Sequence, residues 1–252
     1  MKIKRFIVSF VALLSLFSVC GRCHAQTGDL KITFKFKGEI PRPKPLNAVV
    51  RGNVPVRDET LIVNKETKGI QNVVMYLHNH RSGTLLPVQP VPKHTILLEI
   101  KNRRFEPHVL LAQAGDKLLI RNSGPIGVNA NVQGFVNQLN VQIPPNQSEN
   151  IVLQPPARSF VVSSNIHPWM KSHILVVDHS FYGKSNEDGV LEIKDIPVGN
   201  KVVFKAWHET GTFKEGIIVD GKEEKWKKNT VEFDIEEGMN DIGVVEIPAS
   251  NF

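Results

Sequence analysis

Leu30-Lys-Ile-Thr-Phe-Lys-Phe-Lys37 alternates apolar and polar side chains without a break. Successive side chains of an extended chain leave opposite faces, so Leu30, Ile32, Phe34 and Phe36 share one side and Lys31, Thr33, Lys35 and Lys37 the other. That is the pattern of a strand with one face on a core and one in water. The same period of two returns in Leu191-Glu-Ile-Lys194, Val202-Val-Phe-Lys-Ala-Trp207 and Val231-Glu-Phe-Asp-Ile235. Turn chemistry separates such runs at Asp188-Gly189, Pro197-Val-Gly199 and Asp220-Gly221. No window of a dozen residues repeats its apolar positions at helical spacing. The chain reads as all-β.

The N-terminus is of another kind. Met1-Lys-Ile-Lys-Arg5 precedes an uncharged apolar run at 6–19 and then Cys20-Gly-Arg-Cys-His-Ala25. A basic start, a short apolar stretch and a small residue before Gln26 describe a secretory leader cleaved after Ala25. At 14 residues the run is too short to span a bilayer; a lipid anchor on Cys20 is the alternative reading. A periplasmic or secreted location follows. Both cysteines of the chain, Cys20 and Cys23, lie in this leader. The mature protein is then expected to have neither a disulfide nor a thiolate for copper, iron–sulfur or nucleophilic chemistry. The leader also carries Lys2, Lys4, Arg5 and Arg22 and no acids, so the formal net charge falls from +6 to +2 on its removal. A nearly balanced charge gives no support for a nucleic-acid partner.

Beyond the leader three blocks separate. Residues 26–85 hold the alternating strand and a second strand near 73–77. A proline-rich stretch at 85–92 reads as an extended linker. Residues 86–178 and 179–252 follow as the second and third blocks.

The middle block contains Phe105-Glu-Pro-His-Val109, Gly115-Asp-Lys-Leu-Leu-Ile-Arg-Asn-Ser123, Asn137-Gln-Leu-Asn140 and, at 163–170, Ser-Ser-Asn-Ile-His-Pro-Trp-Met. In these it resembles a cupredoxin, and more narrowly the secreted bacterial proteins of methylamine-utilisation or plastocyanin-like type. Those carry Asn-Ser-Asp-Pro-x-Gly-His-Asn early and Cys-Asn-Ile-His-Pro-Trp-Met late. Here Asn122-Ser-Gly-Pro-Ile-Gly-Val-Asn129 matches the first motif with valine at the histidine position. The resemblance implies a Greek-key β-sandwich and places the four type 1 copper positions at Val128, Ser164, His167 and Met170. Serine is a hard, weak donor that does not ionise near neutral pH, whereas a type 1 site depends on copper–thiolate bonding. The metal set is thus a vestige, His167 and Met170 with Ser164 and Val128; no resident cofactor is expected and any copper would be weakly held.

The third block contains Asn186-Glu-Asp-Gly-Val-Leu-Glu-Ile-Lys-Asp-Ile-Pro-Val-Gly199. It resembles the transthyretin-like, carboxypeptidase-regulatory or carbohydrate-binding-like sandwich. That family's opening strands have counterparts in the first block, so the first and third blocks are expected to form one sandwich with the cupredoxin inserted.

Other residues are weighed one by one. His78 and His80 alternate on one strand, about 6–7 Å apart, a spacing that suits chelation as well as an exposed strand end. His108 reads as a strand-start residue. Trp207 is expected to close a core, with His208 and Glu209 at its rim, and Trp226 to sit exposed on a charged hairpin tip. No His-Glu-x-x-His and no Gly-x-Ser-x-Gly occurs, so the chain is not expected to be an enzyme. The sequence reading is a non-catalytic extracytoplasmic binding or structural module, with a protein or glycan partner, no nucleic acid and no membrane span. Its alternative is a copper carrier or sensor using His167, Met170 and another histidine such as His173, His108 or His94; homology alone would label the chain an electron-transfer cupredoxin.

Overall fold

The computed structural model describes residues 26–43, 45–46, 56–78, 93–154 and 159–252. The leader at 1–25, the linker at 85–92 and His80 lie outside the described residues. Among those described, every regular element is a strand except one 3-10 turn, Ala249–Asn251. The chain is all-β.

The strand Thr27–Lys37 buries alternate residues, with Leu30, Ile32 and Phe34 fully enclosed. It pairs antiparallel with Val190–Pro197 and parallel with Gly238–Pro248. Ile217–Val219 and Lys222–Glu224 complete that five-stranded sheet. The last two are joined through Asp220 and Gly221, both at positive φ, the geometry that a two-residue hairpin demands. A four-stranded sheet, ordered Tyr182–Lys184, Val74–Leu77, Gly199–Trp207 and Thr230–Ile235, faces it. One apolar cluster, containing Phe34, Met75, Leu191, Phe204 and Val245, lies between the two sheets. Residues from both ends of the described chain therefore share one core.

The turn at 186–189 shows how closely these parts approach. Phe34 donates its N–H to the Gly189 carbonyl at 2.8 Å, and the Phe34 carbonyl accepts from Ile70 at 3.0 Å. A Cβ on Gly189, at φ +81°, would meet the Phe34 carbonyl oxygen at 2.1 Å. Only glycine combines that dihedral with that approach.

A second pair of sheets is built from 95–177. One runs Gln138–Ile143, Val128–Gln133, Ser159–Ser163, Lys171–Val177, Val109–Gln113; the other Ser148–Val152, Lys117–Asn122, Thr95–Lys101, Arg104–Glu106. Leu98, Phe105, Ile120, Val162 and Ile174 are among its separate core. Val74, Tyr76, Val109, Leu175 and Val177 form a third apolar cluster at the seam between the two sandwiches, with Trp207 packed against it.

Both tryptophan expectations need correction. Trp207 does not close a core but lies half-buried at that seam. Trp226, expected on an exposed tip, is 2% exposed and edge-on to Phe34 and Phe213. The chain beyond Glu224 folds back, carrying the indole inside while Lys225 and Lys227 stay in water.

His179 sits where the second sandwich returns to the first. Its Nε2 lies 3.0 Å from the Leu77 carbonyl and its Nδ1 accepts the Phe181 N–H at 3.1 Å. That pairing fits a neutral ring protonated on Nε2 only. Burial pushes its pKa below the ordinary value of 6.5. The unfolded chain therefore takes the proton first: the contribution is complete above the unfolded pKa and is lost as pH falls through the lower, folded one. Urea midpoints measured down a pH series from neutrality should fall more steeply for the native protein than for His179→Gln; equal slopes would refute this.

Candidate metal and ligand sites

The loop 164–170 joins strands Ser159–Ser163 and Lys171–Val177 and is fixed by its own hydrogen bonds. Ser164 accepts the N–H groups of Ile166 and His167 on Oγ, at 3.3 and 3.1 Å. Its own N–H donates to the Met170 carbonyl at 3.2 Å, and Met170 donates to the His167 carbonyl at 2.9 Å. Val128 and Ser164 are each 3% exposed and Met170 1%. His167 is half-buried, its ring 5.0 Å from that of Trp169. Val128, His167, Trp169 and Met170 line one cavity of about 840 Å³ with Ile100 and Ile126. Of the four positions, His167 and Met170 bring one imidazole and one thioether to it, while the Ser164 hydroxyl is engaged by backbone.

A second constellation forms at the seam, and sequence reasoning did not assemble it. His108 precedes strand Val109–Gln113, and His173 lies on the parallel neighbour Lys171–Val177. His173 donates its backbone N–H to the His108 carbonyl at 2.8 Å, and the two rings stand 5.7 Å apart. Glu209 enters from the other sandwich, just past strand Gly199–Trp207, while the Trp207 ring packs 5.5 Å from that of His173. Glu209 Oε2 lies 2.6 Å from His108 Nε2 and Oε1 lies 3.0 Å from His173 Nε2. The second approach is off the hydrogen-bonding direction, so His173 Nε2 is buried without a hydrogen-bond partner. Burial alone would raise the Glu209 pKa; the two imidazoles outweigh it and hold the carboxyl well below its usual range.

Its neighbour His208, expected at a rim, is instead 4% exposed, edge-on to Phe252, and its pKa is lowered by burial to about 4. It is a neutral core residue. His94, by contrast, is largely exposed and 3.8 Å from Asp116. Of the histidines considered as partners for His167, His108 and His173 thus belong to the seam. His78 closes strand Val74–Leu77 with its backbone N–H on the Val203 carbonyl at 2.8 Å.

No protein-family model and no curated protein matches the chain. Among solved structures it is similar to a copper(I) form of an amicyanin mutant, at 17% identity over 32% of this chain and 81% of that one, TM-score 0.30. A reduced amicyanin mutant gives 19% identity with the same coverage and TM-score. The copper-containing nitrite reductase of Thermus scotoductus SA-01 gives 22% identity over 35% of this chain and 23% of its own, TM-score 0.30. Cupredoxin-type copper proteins are thus among its structural neighbours.

Proposed function

We propose that the protein is a non-catalytic binding module of the periplasm or exterior, delivered by the 1–25 leader. In this reading residues 86–178 form a cupredoxin-like domain with a degenerate type 1 site. It is inserted into a transthyretin-like sandwich made of 26–85 and 179–252. The observation that carries the reading is the donor set: an isopropyl group at Val128 and an engaged hydroxyl at Ser164 stand where an imidazole and a thiolate would be needed. One imidazole and one thioether do not make a high-affinity Cu(II) site, since that ion favours several nitrogen or oxygen donors.

What remains is a cleft. Its lining is largely aliphatic and aromatic. Lys101 at its rim is paired with Glu99 and Glu106 at 2.9 and 3.4 Å. Arg103 lines it too. Apolar and amide surface with a guanidinium at hand suits a glycan or an apolar side chain of a protein partner. The test is a calorimetric titration of residues 26–252 and of His167→Ala with Cu(I) and Cu(II). No copper uptake that depends on His167 is expected; tight uptake abolished by His167→Ala would overturn the reading.

A further inference from the structure

The seam constellation is separate from that cleft and asks for its own explanation. The His108, His173 and Glu209 side chains are only 14, 13 and 14% exposed. One ligand atom from each lies within 4.8 Å of the others. Two imidazoles and a carboxylate are a three-donor set of the kind that holds zinc(II) with a fourth position left open. Tetrahedral donors at zinc bond lengths sit roughly 3.3 Å apart. The 2.6 and 3.0 Å contacts made by Glu209 therefore need only a small outward shift of its carboxylate.

Three further observations point to a ligand rather than a mere ion pair. His173 Nε2 is buried, and its polar neighbour, Glu209 Oε1 at 3.0 Å, lies off its hydrogen-bonding direction, so the pair is held close without a well-aligned bond. His108 turns its other nitrogen, Nδ1, toward Glu59 Oε2 at 3.8 Å, and Glu59 is itself ion-paired with Arg104. A carboxylate on that side of the ring favours a proton on Nδ1 and so leaves the opposite nitrogen for a metal. Finally, a cleft of about 380 Å³ lined by Glu59, Arg104, His108, Trp169, Lys171 and Glu209 gives a path for entry and exchange.

We propose that His108 Nε2, His173 Nε2 and the Glu209 carboxylate bind a first-row divalent cation of the zinc(II) class. The ion bridges the two sandwiches and presents its remaining position to the cleft at Arg104 and Lys171. Both imidazoles come from one sandwich and the carboxylate from the other, so occupancy fastens the seam beside Trp207. The site shares no donor with His167 or Met170, and it stands or falls apart from the reading of the copper-position cleft.

The experiment is calorimetric titration of chelator-treated residues 26–252 with zinc chloride, with copper(II) sulfate and magnesium chloride in parallel. One zinc per chain is expected. Copper(II) should bind at least as tightly, following the usual order of divalent affinities, and magnesium, which wants oxygen donors, should not bind. His173→Ala and Glu209→Gln should each lower zinc affinity by at least ~100-fold, whereas Glu59→Gln should lower it about 10–100-fold, as loss of an outer partner does. His167→Ala should leave it unchanged. Zinc should also raise the melting temperature of the native protein and not that of Glu209→Gln. Should His173→Ala fail to fold, X-ray absorption of the zinc-loaded native chain decides, with imidazole scattering expected. Absence of zinc uptake would overturn the proposal and leave the trio as an ion-paired lock. Uptake abolished by His167→Ala, or unchanged in Glu209→Gln, would overturn it equally.

Discussion

Trp226→Ala is expected to destabilise the protein by about 3–5 kcal/mol, the range for emptying a large aromatic site in a core. The indole is 2% exposed and stands edge-on to Phe34 and Phe213, at centroid distances of 6.5 and 6.0 Å. Both rings lose a neighbour at once, and Phe34 sits on the strand Thr27–Lys37, which is paired on both sides and cannot collapse into the void. Against a total stability of roughly 5–15 kcal/mol, the loss is a large share. Trp226→Phe should behave differently. The indole Nε1 is buried with no hydrogen-bond partner, so removing it relieves an unmet polar group while keeping most of the ring. Chemical denaturation of both variants checks this: a phenylalanine variant as damaged as the alanine one would show that the ring contacts are not what holds the site.

The second large effect is a gain. Adding Cu(II) to the double variant Val128→His with Ser164→Cys is expected to produce the intense visible absorption that the native chain should lack. Val128, His167 and Met170 already line one cavity, and Ser164 is one hydrogen bond from the His167 N–H. Two substitutions would then supply a second imidazole and the thiolate, completing two histidines, one cysteine and a weak axial methionine. Val128→His alone should stay colourless, because the colour belongs to the copper–sulfur bond. A double variant that folds, binds Cu(II) and stays colourless would mean that the four positions do not converge.

Much of the sheet structure was legible because burial in a strand follows a period of two. Leu30, Ile32, Phe34 and Phe36 do face inward, and Asp188-Gly189 and Asp220-Gly221 are turns. Residues whose environment depends on distant chain were misread. Trp226 stands among Lys225, Lys227 and Lys228, and local polarity argued for water; Phe34, almost two hundred positions earlier, decided otherwise. His208 and Glu209 are neighbours with opposite fates, one in a core and one at a seam. The seam trio has no motif at all. His108 and Glu209 are 101 residues apart, and only the register of Lys171–Val177 on Val109–Gln113 brings His173 beside His108. Alternation places His173 on one face of its strand, but no spacing says what lies across the seam.

The parallel pairing of Thr27–Lys37 with Gly238–Pro248 also sets an order of events. A ribosome finishes the strand at 171–177 well before it reaches 238, so the sandwich of 95–177 has all its described strands while the other still lacks a central one. Until then Leu30, Ile32, Phe34 and Phe36 lie on a strand with an open edge, a surface that invites pairing with other chains. Native contacts spanning some two hundred residues also slow closure, because the connecting chain must be ordered first. The first strand made is among the last to be secured, and newly made chains are most exposed to aggregation during that wait.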